Sequence, residues 1–476
     1  MPPRRKILVV AGNLSHLDQF VIHGFFKELA QDTDVYLTLP EQDRATDRWR
    51  EVSRKLEDSL HEVVGYEYSS RSKSSGYQIG AALTYRYRKT SESYHVRILE
   101  SLFGGFDLPM QIRSRRALFI LFKRRNELAR RIVHEFPAMV RGTRAIFWIW
   151  SKVATRRVES GCSLISIVKS IDPDVTVTLM QRQAGFVIAS IGAGRKLGIP
   201  TLLIPYKWDN ASSKSPLIKT PTRMLVYNTA IQQVCARLHK MPLSAVVAVG
   251  SVEIGKGRET RIDQAAGVVP LIGATLDTKS SANWLRAIDN FFETRKQQVD
   301  EKIVKLVWRP YPTADKNNLD FMRSFAVEHP RFELDKDIEA SISHRSSKIT
   351  FAQTQAAYDR YIRMLERSSF VVSEGTSVIV DARARGLAVI YPAFKKEAVV
   401  GSQWHRLNTS NHLKGLRDTT GVFIAEDEKE LDHLLADFLK NPRRIPPDNT
   451  GENIFTDDRS YARRVLDVVE DAINER

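Results

Sequence analysis

Five short polar loops, each directly after an apolar run, hold the residues of this sequence best placed to do chemistry: GNLSHLD (12–18), YKWDNASSKS (206–215), GAT (273–275), RPYP (309–312) and SEGTS (373–377). In the last, Gly375, Thr376 and Ser377 follow Glu374 at the expected start of a helix. Free backbone N–H groups and the positive dipole end bind phosphate at such a start. Asp381 stands one turn further on the same face, where its carboxylate can accept hydroxyls. The competing reading is that Thr376 or Ser377 only caps the helix and Asp381 favours its dipole. Arg309 ends VKLVW, with Pro310 and Pro312 stopping the strand, and its guanidinium suits either a diphosphate or an ion pair. Gly273, two residues before Thr275, offers close backbone approach to a phosphate.

In GNLSHLD, Ser15 and Asp18 have capping-box spacing, which makes Asp18 a cap before it is a base. His16 is freer and could take a hydroxyl proton, against the reading of an exposed loop histidine. His23 lies seven residues on, along the same helical stripe. In YKWDNASSKS, Asp209 and Asn210 could grip hydroxyls, Lys207 or Lys214 could meet a phosphate, and Trp208 could stack on a ring; the plainer alternative is a polar Asx-turn loop.

Positioning these loops requires strands that end where they begin. The runs KILVVA (6–11), DVYLTL (34–39), DVTVTLM (174–180), TLLIP (201–205), RMLVYN (223–228) and AVVAVG (245–250) read as strands. Helices are expected from Ser15 to about Leu29, over 185–198 and over 230–240, giving βαβ alternation. A long polar, mainly helical insertion is expected over 41–170. After Gly250 the pattern lapses and then resumes with strands 268–275, 304–310, 369–373 and 387–392, and helices 281–298, 319–328, 354–367 and 376–385. The fold class is therefore α/β, two Rossmann-like domains facing across a cleft. The first covers 1–250 and the second 251–458, and a last helix from Ser460 to Ile473, within 459–476, braces the first. Ligands of such sheets sit beyond the carboxyl ends of the strands, where all five loops fall.

A chain of 476 residues, with 42% hydrophobic and 27% charged residues, suits two folded domains. Two cysteines, Cys162 and Cys235, without metal-ligand spacing argue against disulfide scaffolds and zinc sites. MPPRRKILVVAG reads as a first strand and not a signal peptide, and no run approaches the ~18 apolar residues that span a bilayer. The reading is cytoplasmic. A net charge of +16 favours an anionic partner. Between Gln111 and Arg157, thirteen Lys and Arg face only Glu127 and Glu135, interleaved with ALFILF and AIFWIW. That suits a helix pair on an anionic membrane surface, or a core with a solvated face. No nucleic-acid motif is recognised.

YKWDNASSKS, followed by LVYN, resembles a signature of bacterial surface-polysaccharide glycosyltransferases of the two-domain GT-B type. WRPYP is similar to a motif of that group and of the CDP-glycerol glycerophosphotransferases, with Tyr311 where they carry His. SEGTSVIVDARARGLAVIYP, followed by SQW and a histidine (Gln403 and His405), resembles a third block, with Ala388 in place of Pro. The likeness spans roughly residues 170–440. It implies a nucleotide-sugar donor held by the second domain, with Asp381 on the ribose. It also implies a glycan or lipid-linked acceptor in the cleft near His23, Lys207, Trp208, Asn210, Lys214, Gln403 and His405. His16, Asp18 or Asp209 would act as base. No cofactor or metal is expected, because Arg and helix-terminus groups can stabilise a leaving diphosphate. Open alternatives are a glycerophosphotransferase, a UDP-sugar 2-epimerase of the same fold, and a non-catalytic basic membrane or nucleic-acid adaptor.

Overall fold

Apolar runs without alternation, such as KILVVA and TLLIP, suit strands covered on both faces, and the computed structural model builds them so. It describes residues 3–14, 17–67, 152–153, 155–180, 185–208, 210, 217–253, 271–273, 278–295, 306–310, 316–343, 355–397, 402–410, 413, 415–446 and 459–475. The first unit comprises β1 (Arg5–Ala11), α1 (Asp18–Ile22), α2 (Phe25–Asp32), β2 (Thr33–Pro40), α3 (Glu41–Arg44), α4 (Asp47–Leu56) and β3 (Glu62–Tyr66). It continues with α5 (Leu164–Ile171), β4 (Val175–Met180), α6 (Gly185–Leu197), β5 (Thr201–Pro205), β6 (Arg223–Val226), α7 (Thr229–His239) and β7 (Val246–Ala248). The second comprises β8 (Leu271–Gly273), α8 (Thr278–Thr294), β9 (Leu306–Arg309), α9 (Lys316–Glu328), β10 (Phe332–Leu334), α10 (Lys336–Ser343), α11 (Gln355–Arg367) and β11 (Phe370–Ser373). After these come α12 (Val378–Arg383), β12 (Ala388–Pro392), α13 (Gln403–Thr409), β13 (Val422–Ala425), α14 (Glu428–Lys440) and finally α15 (Tyr461–Asn474).

Both sheets are wholly parallel. The first runs β3-β2-β1-β4-β5-β6-β7 and the second β10-β9-β8-β11-β12-β13. Counted from its own first strand, the first sheet runs 3-2-1-4-5-6-7 and the second 3-2-1-4-5-6, both doubly wound and reversing between the first and fourth strands. The switch points therefore lie between β1 and β4 and between β8 and β11. In β1 the faces alternate: Leu8 and Val10 pack with α5 and α6, while Ile7 and Val9 pack with α2 and α15. Each fully buried Val, Ile or Leu of this kind contributes roughly 1.5–3 kcal/mol on the transfer scale.

α15 lies on the first sheet. Ser460 Oγ accepts from the Arg463 amide at its start, Val465 and Val469 enter the core with Phe20 and Phe25, and Arg464 Nε donates to the Val249 carbonyl at 2.7 Å. In the first unit, two elements depart from expectation. The single helix foreseen from Ser15 is two, because Gly24 adopts φ 69°, a left-handed value that breaks α1 from α2. Within the stretch read as a helical insertion, 62–66 forms β3, an edge strand whose short run VVGY is only partly buried before Tyr66. Most of that insertion, 68–151, lies outside the described residues, as does most of the basic stretch. Among the described residues no helix is long and apolar enough to cross a membrane.

Candidate functional site

The second sheet's switch point is built by two turns. β8 ends at Gly273, and a Cβ there would stand 2.9 Å from Ser373 Oγ and 3.4 Å from Thr376 Oγ1, so any other residue would make the Ser373 hydroxyl shift. Glu374 N donates to the Gly273 carbonyl at 3.4 Å, joining the turns. Ser373 Oγ donates to the Glu374 carbonyl at 2.9 Å and stands 3.1 Å from Thr376 Oγ1; the Thr376 amide donates to the same carbonyl at 2.6 Å. Thr376 is thus turned inward to shape the turn. Ser377 is the N-cap of α12, and its hydroxyl makes no bond to the helix it caps. Gly375 N donates to Gln403 Oε1 at 3.4 Å, and Tyr391 OH donates to the same oxygen at 2.9 Å. Gln403, expected beside the acceptor, has its amide oxygen on the Gly375 turn. His405 stands in the same helix, its amide donating to Ser402 Oγ at 3.2 Å.

Glu374 and Arg309 both meet protein partners. Glu374 is fully buried: Ser281 Oγ donates to its carboxylate at 2.7 Å and Trp284 Nε1 at 2.9 Å, both from α8. It locks α8 onto the switch point. Arg309 ion-pairs with Asp335, and its guanidinium carbon lies 4.1 Å over the Tyr361 ring. The ion-pair reading of Arg309 holds, though as a buried pair and not a surface one. Asp335 and Asp337, close in sequence and both acidic, each serve an arginine, Arg309 and Arg360.

Across the cleft, the first-domain loop meets the second domain in a buried charged group. Lys207 Nζ donates to Glu253 Oε1 at 2.6 Å, and Gln19 Nε2 donates to the same oxygen. Burial works against the Lys207 ammonium, but Glu253 and Tyr206 outweigh it and the lysine is held charged. Asp381 accepts from Tyr361 OH at 2.8 Å; burial first, then Glu253, raises its carboxyl above the usual range, while Arg385 and Lys207 oppose this. His23 ends α1, with its ring edge-on to Tyr358 at 4.6 Å. Burial, then Lys207, depresses its imidazole to about 4, so it is neutral at pH 7. Tyr358 OH donates to the Glu253 carbonyl at 3.3 Å. Asp381 therefore faces a cluster of titrating groups, with one carboxylate oxygen already on Tyr361.

Trp208 is buried and belongs to the apolar cluster of the second domain, where it packs among tyrosines and aliphatic chains and is not displayed as a platform for a ring. Asn210 is buried as well; its amide donates to the Lys207 carbonyl at 3.0 Å, and its Nδ2 has no partner among the described residues. Asp18 stands in the first turn of α1, buried and paired with Arg48 of α4; burial raises its carboxyl and Arg48 opposes the rise. His16, Asp209, Lys214 and Thr275 lie outside the described residues. Glu253 escaped the sequence reading because it sits in SVEIGKGRE, which reads as a domain boundary; its one signal is a lone carboxylate ahead of a basic connection. Among the described residues no group of three or more His, Cys, Asp or Glu could hold a metal ion.

No family model and no curated protein matches the sequence. A Listeria monocytogenes protein assigned as a UDP-N-acetylglucosamine 2-epimerase matches with a TM-score of 0.51 at 10% identity, over 99% of this chain and 97% of that one. Fainter likenesses are to the Neisseria meningitidis UDP-GlcNAc 2-epimerase bound to UDP-GlcNAc (TM-score 0.48, 10% identity, 98% of this chain and 100% of that one) and to Acinetobacter baumannii MurG (0.43, 12%, 98% and 100%). With both sheets parallel and doubly wound, and the likeness covering the whole of each chain, the architecture is the GT-B fold of two Rossmann-like domains across a cleft.

Proposed function

We propose that the protein is a glycosyltransferase that moves a sugar from a nucleotide-sugar donor to a surface-glycan acceptor, of capsule, lipopolysaccharide or lipid-linked type, with the nucleotide in the second domain. The observation that carries this is the Gly375–Ser377 turn at the β8–β11 switch point. There Gly273 allows two loops to close together, and the Ser377 hydroxyl is left unengaged by its own helix. A diphosphate at that turn would be met by the Ser377 hydroxyl and, with Gln403 displaced, by the Gly375 N–H, which can hold the developing charge of the leaving group without a metal. The donor is a substrate and no cofactor is needed. The sequence resemblance to the surface-polysaccharide enzymes supports the same reading, and an anionic membrane surface is the proposed meeting place with a lipid-linked acceptor. Transfer of glycerol phosphate from CDP-glycerol is the sibling chemistry that the resemblance allows.

Thermal unfolding with UDP, CDP and GDP and their sugars tests it. A nucleotide at 100 times its dissociation constant should add about 2.7 kcal/mol, and Ser377→Glu, which sets a carboxylate where phosphate would lie, should abolish that gain. If no nucleotide stabilises the protein, the reading fails. A second reading is favoured by one observation: Asp381, His23 and Glu253 gather at the cleft, and an epimerase needs acids and bases around one sugar. It would exchange sugar hydrogen with D2O from UDP-sugar alone, whereas the transferase needs an acceptor.

A further inference from the structure

One residue of the crossing between the domains is bonded to both of them. Glu253 Oε1 accepts from Gln19 Nε2 of α1 and, at 2.6 Å, from Lys207 Nζ, while the Glu253 carbonyl accepts from Tyr358 OH of α11 at 3.3 Å. Its own amide donates to Ser251 Oγ at 3.1 Å, which fixes it to the end of the first unit. On the return crossing, Arg464 of α15 donates to the Val249 carbonyl, so α15 also belongs with the first domain. The seam is closed, with Gln19 1% and Glu253 6% exposed. It is also poorly satisfied. A carboxylate only accepts, so Gln19 must turn its NH2 toward Glu253, and Gln19 Oε1 is left buried with no partner among the described residues. His23 Nε2, one turn further along α1 on the side of Tyr358, is buried and unpartnered as well. Burying such atoms costs free energy, which parting the domains relieves by giving them water. The bonds to Glu253 oppose that parting.

We propose that Glu253 is a catch between the two domains: its carboxylate grips Gln19 and Lys207, its carbonyl grips Tyr358, and together they hold the cleft shut over His23 and Asp381 until Glu253 lets go. Nothing in the catch requires a particular ligand. Trp208 adds an apolar contact to the same seam, but it carries no charge and does not answer to a change at position 253.

Double electron–electron resonance on the full chain tests the catch, with spin labels at Arg50→Cys of α4 and Lys336→Cys of α10, whose side chains are 70% and 86% exposed, Cys162 and Cys235 being buried. The chain with native Glu253 should give one narrow distance population, and Glu253→Ala should add a second, longer one. Modification of His23 by diethyl pyrocarbonate, read by peptide mass, should rise roughly 10-fold or more in that variant, the factor that loss of one charge-assisted hydrogen bond gives. Glu253→Gln keeps an acceptor of the same shape and should fall between, and it serves in place of the alanine variant should that one fail to fold. Tyr358→Phe leaves Lys207 paired and the ring on His23, and should fall between as well. Distances and a His23 rate equal to wild type in the folded position-253 variant overturn the proposal, because Glu253 then only neutralises Lys207. A Tyr358→Phe chain identical to wild type overturns it too, since the catch would have no hold on the second domain. So does a long population that already dominates with native Glu253, because the seam is then not held.

Discussion

Replacing Arg309 by alanine separates two jobs that its guanidinium could do. In the structure it is buried against Asp335, with side chains 12% and 7% exposed, and it covers the Tyr361 ring at 4.1 Å. Removing one partner of a buried pair typically costs 3–5 kcal/mol, because the other charge is left unpaired. Asp335 is not left bare: its Oδ1 accepts the Asp337 and Ile338 amides at 3.0 and 3.3 Å at the start of α10, which offsets about 1–2 kcal/mol. Loss of the cation–π contact adds back about 1 kcal/mol. The net expectation is about 3 kcal/mol, or roughly 6–12 °C in the melting of a domain of this size. Scanning calorimetry of Arg309→Ala reads it directly. Arg309→Ala/Asp335→Asn should recover part of the loss, since the orphaned charge is then gone. A variant that melts within about 2 °C of wild type while nucleotide affinity falls ~10-fold or more would refute this reasoning and return the guanidinium to the diphosphate.

Two more outcomes follow from buried groups. His23 has a folded-state value of about 4 against an ordinary 6.5, so between those values the unfolded chain binds the extra proton and stability falls as pH drops through that window. His23→Phe keeps the ring against Tyr358 and removes the titration, so urea midpoints at pH 7 and pH 5 should show the wild type losing about 2 kcal/mol more than the variant; parallel losses would contradict the assigned depression. Glu374→Ala leaves Ser281 Oγ and Trp284 Nε1 without their carboxylate in a fully buried place, at a cost of about 2–4 kcal/mol, and Glu374→Gln should cost less than half of that, both read by thermal unfolding. Equal stability of all three proteins would mean that α8 is not held by this carboxylate.

The strands were legible because a parallel sheet covered on both faces demands unbroken apolar runs, and KILVVA, TLLIP and LAVIYP are such runs with little else they could be. β3, β10 and β13 were not, since an edge strand of three to five residues buries one face and leaves a signal no longer than a loop's. The Gly24 break was hidden for a different reason: HGFF keeps the helical period on either side, and only the left-handed φ reveals that α1 and α2 are separate. At the site, Gly273 and the Gly375–Ser377 turn could be read because glycine and hydroxyl residues directly after a strand have few structural uses. Partner identity could not be read. Arg309 finds Asp335, Glu374 finds Ser281, and Lys207 finds Glu253 across 26, 93 and 46 residues of sequence, and each pairing depends on which helix folds over which strand end. The same limit explains YKWDN. Its composition is that of a polar ligand loop, yet one of its residues is a tryptophan, and a tryptophan between a lysine and an aspartate can face a ligand or a neighbouring domain with equal chemical sense. Only the apolar cluster it shares with residues of the second sheet and its helices decides, and that cluster exists only once the two sheets face each other.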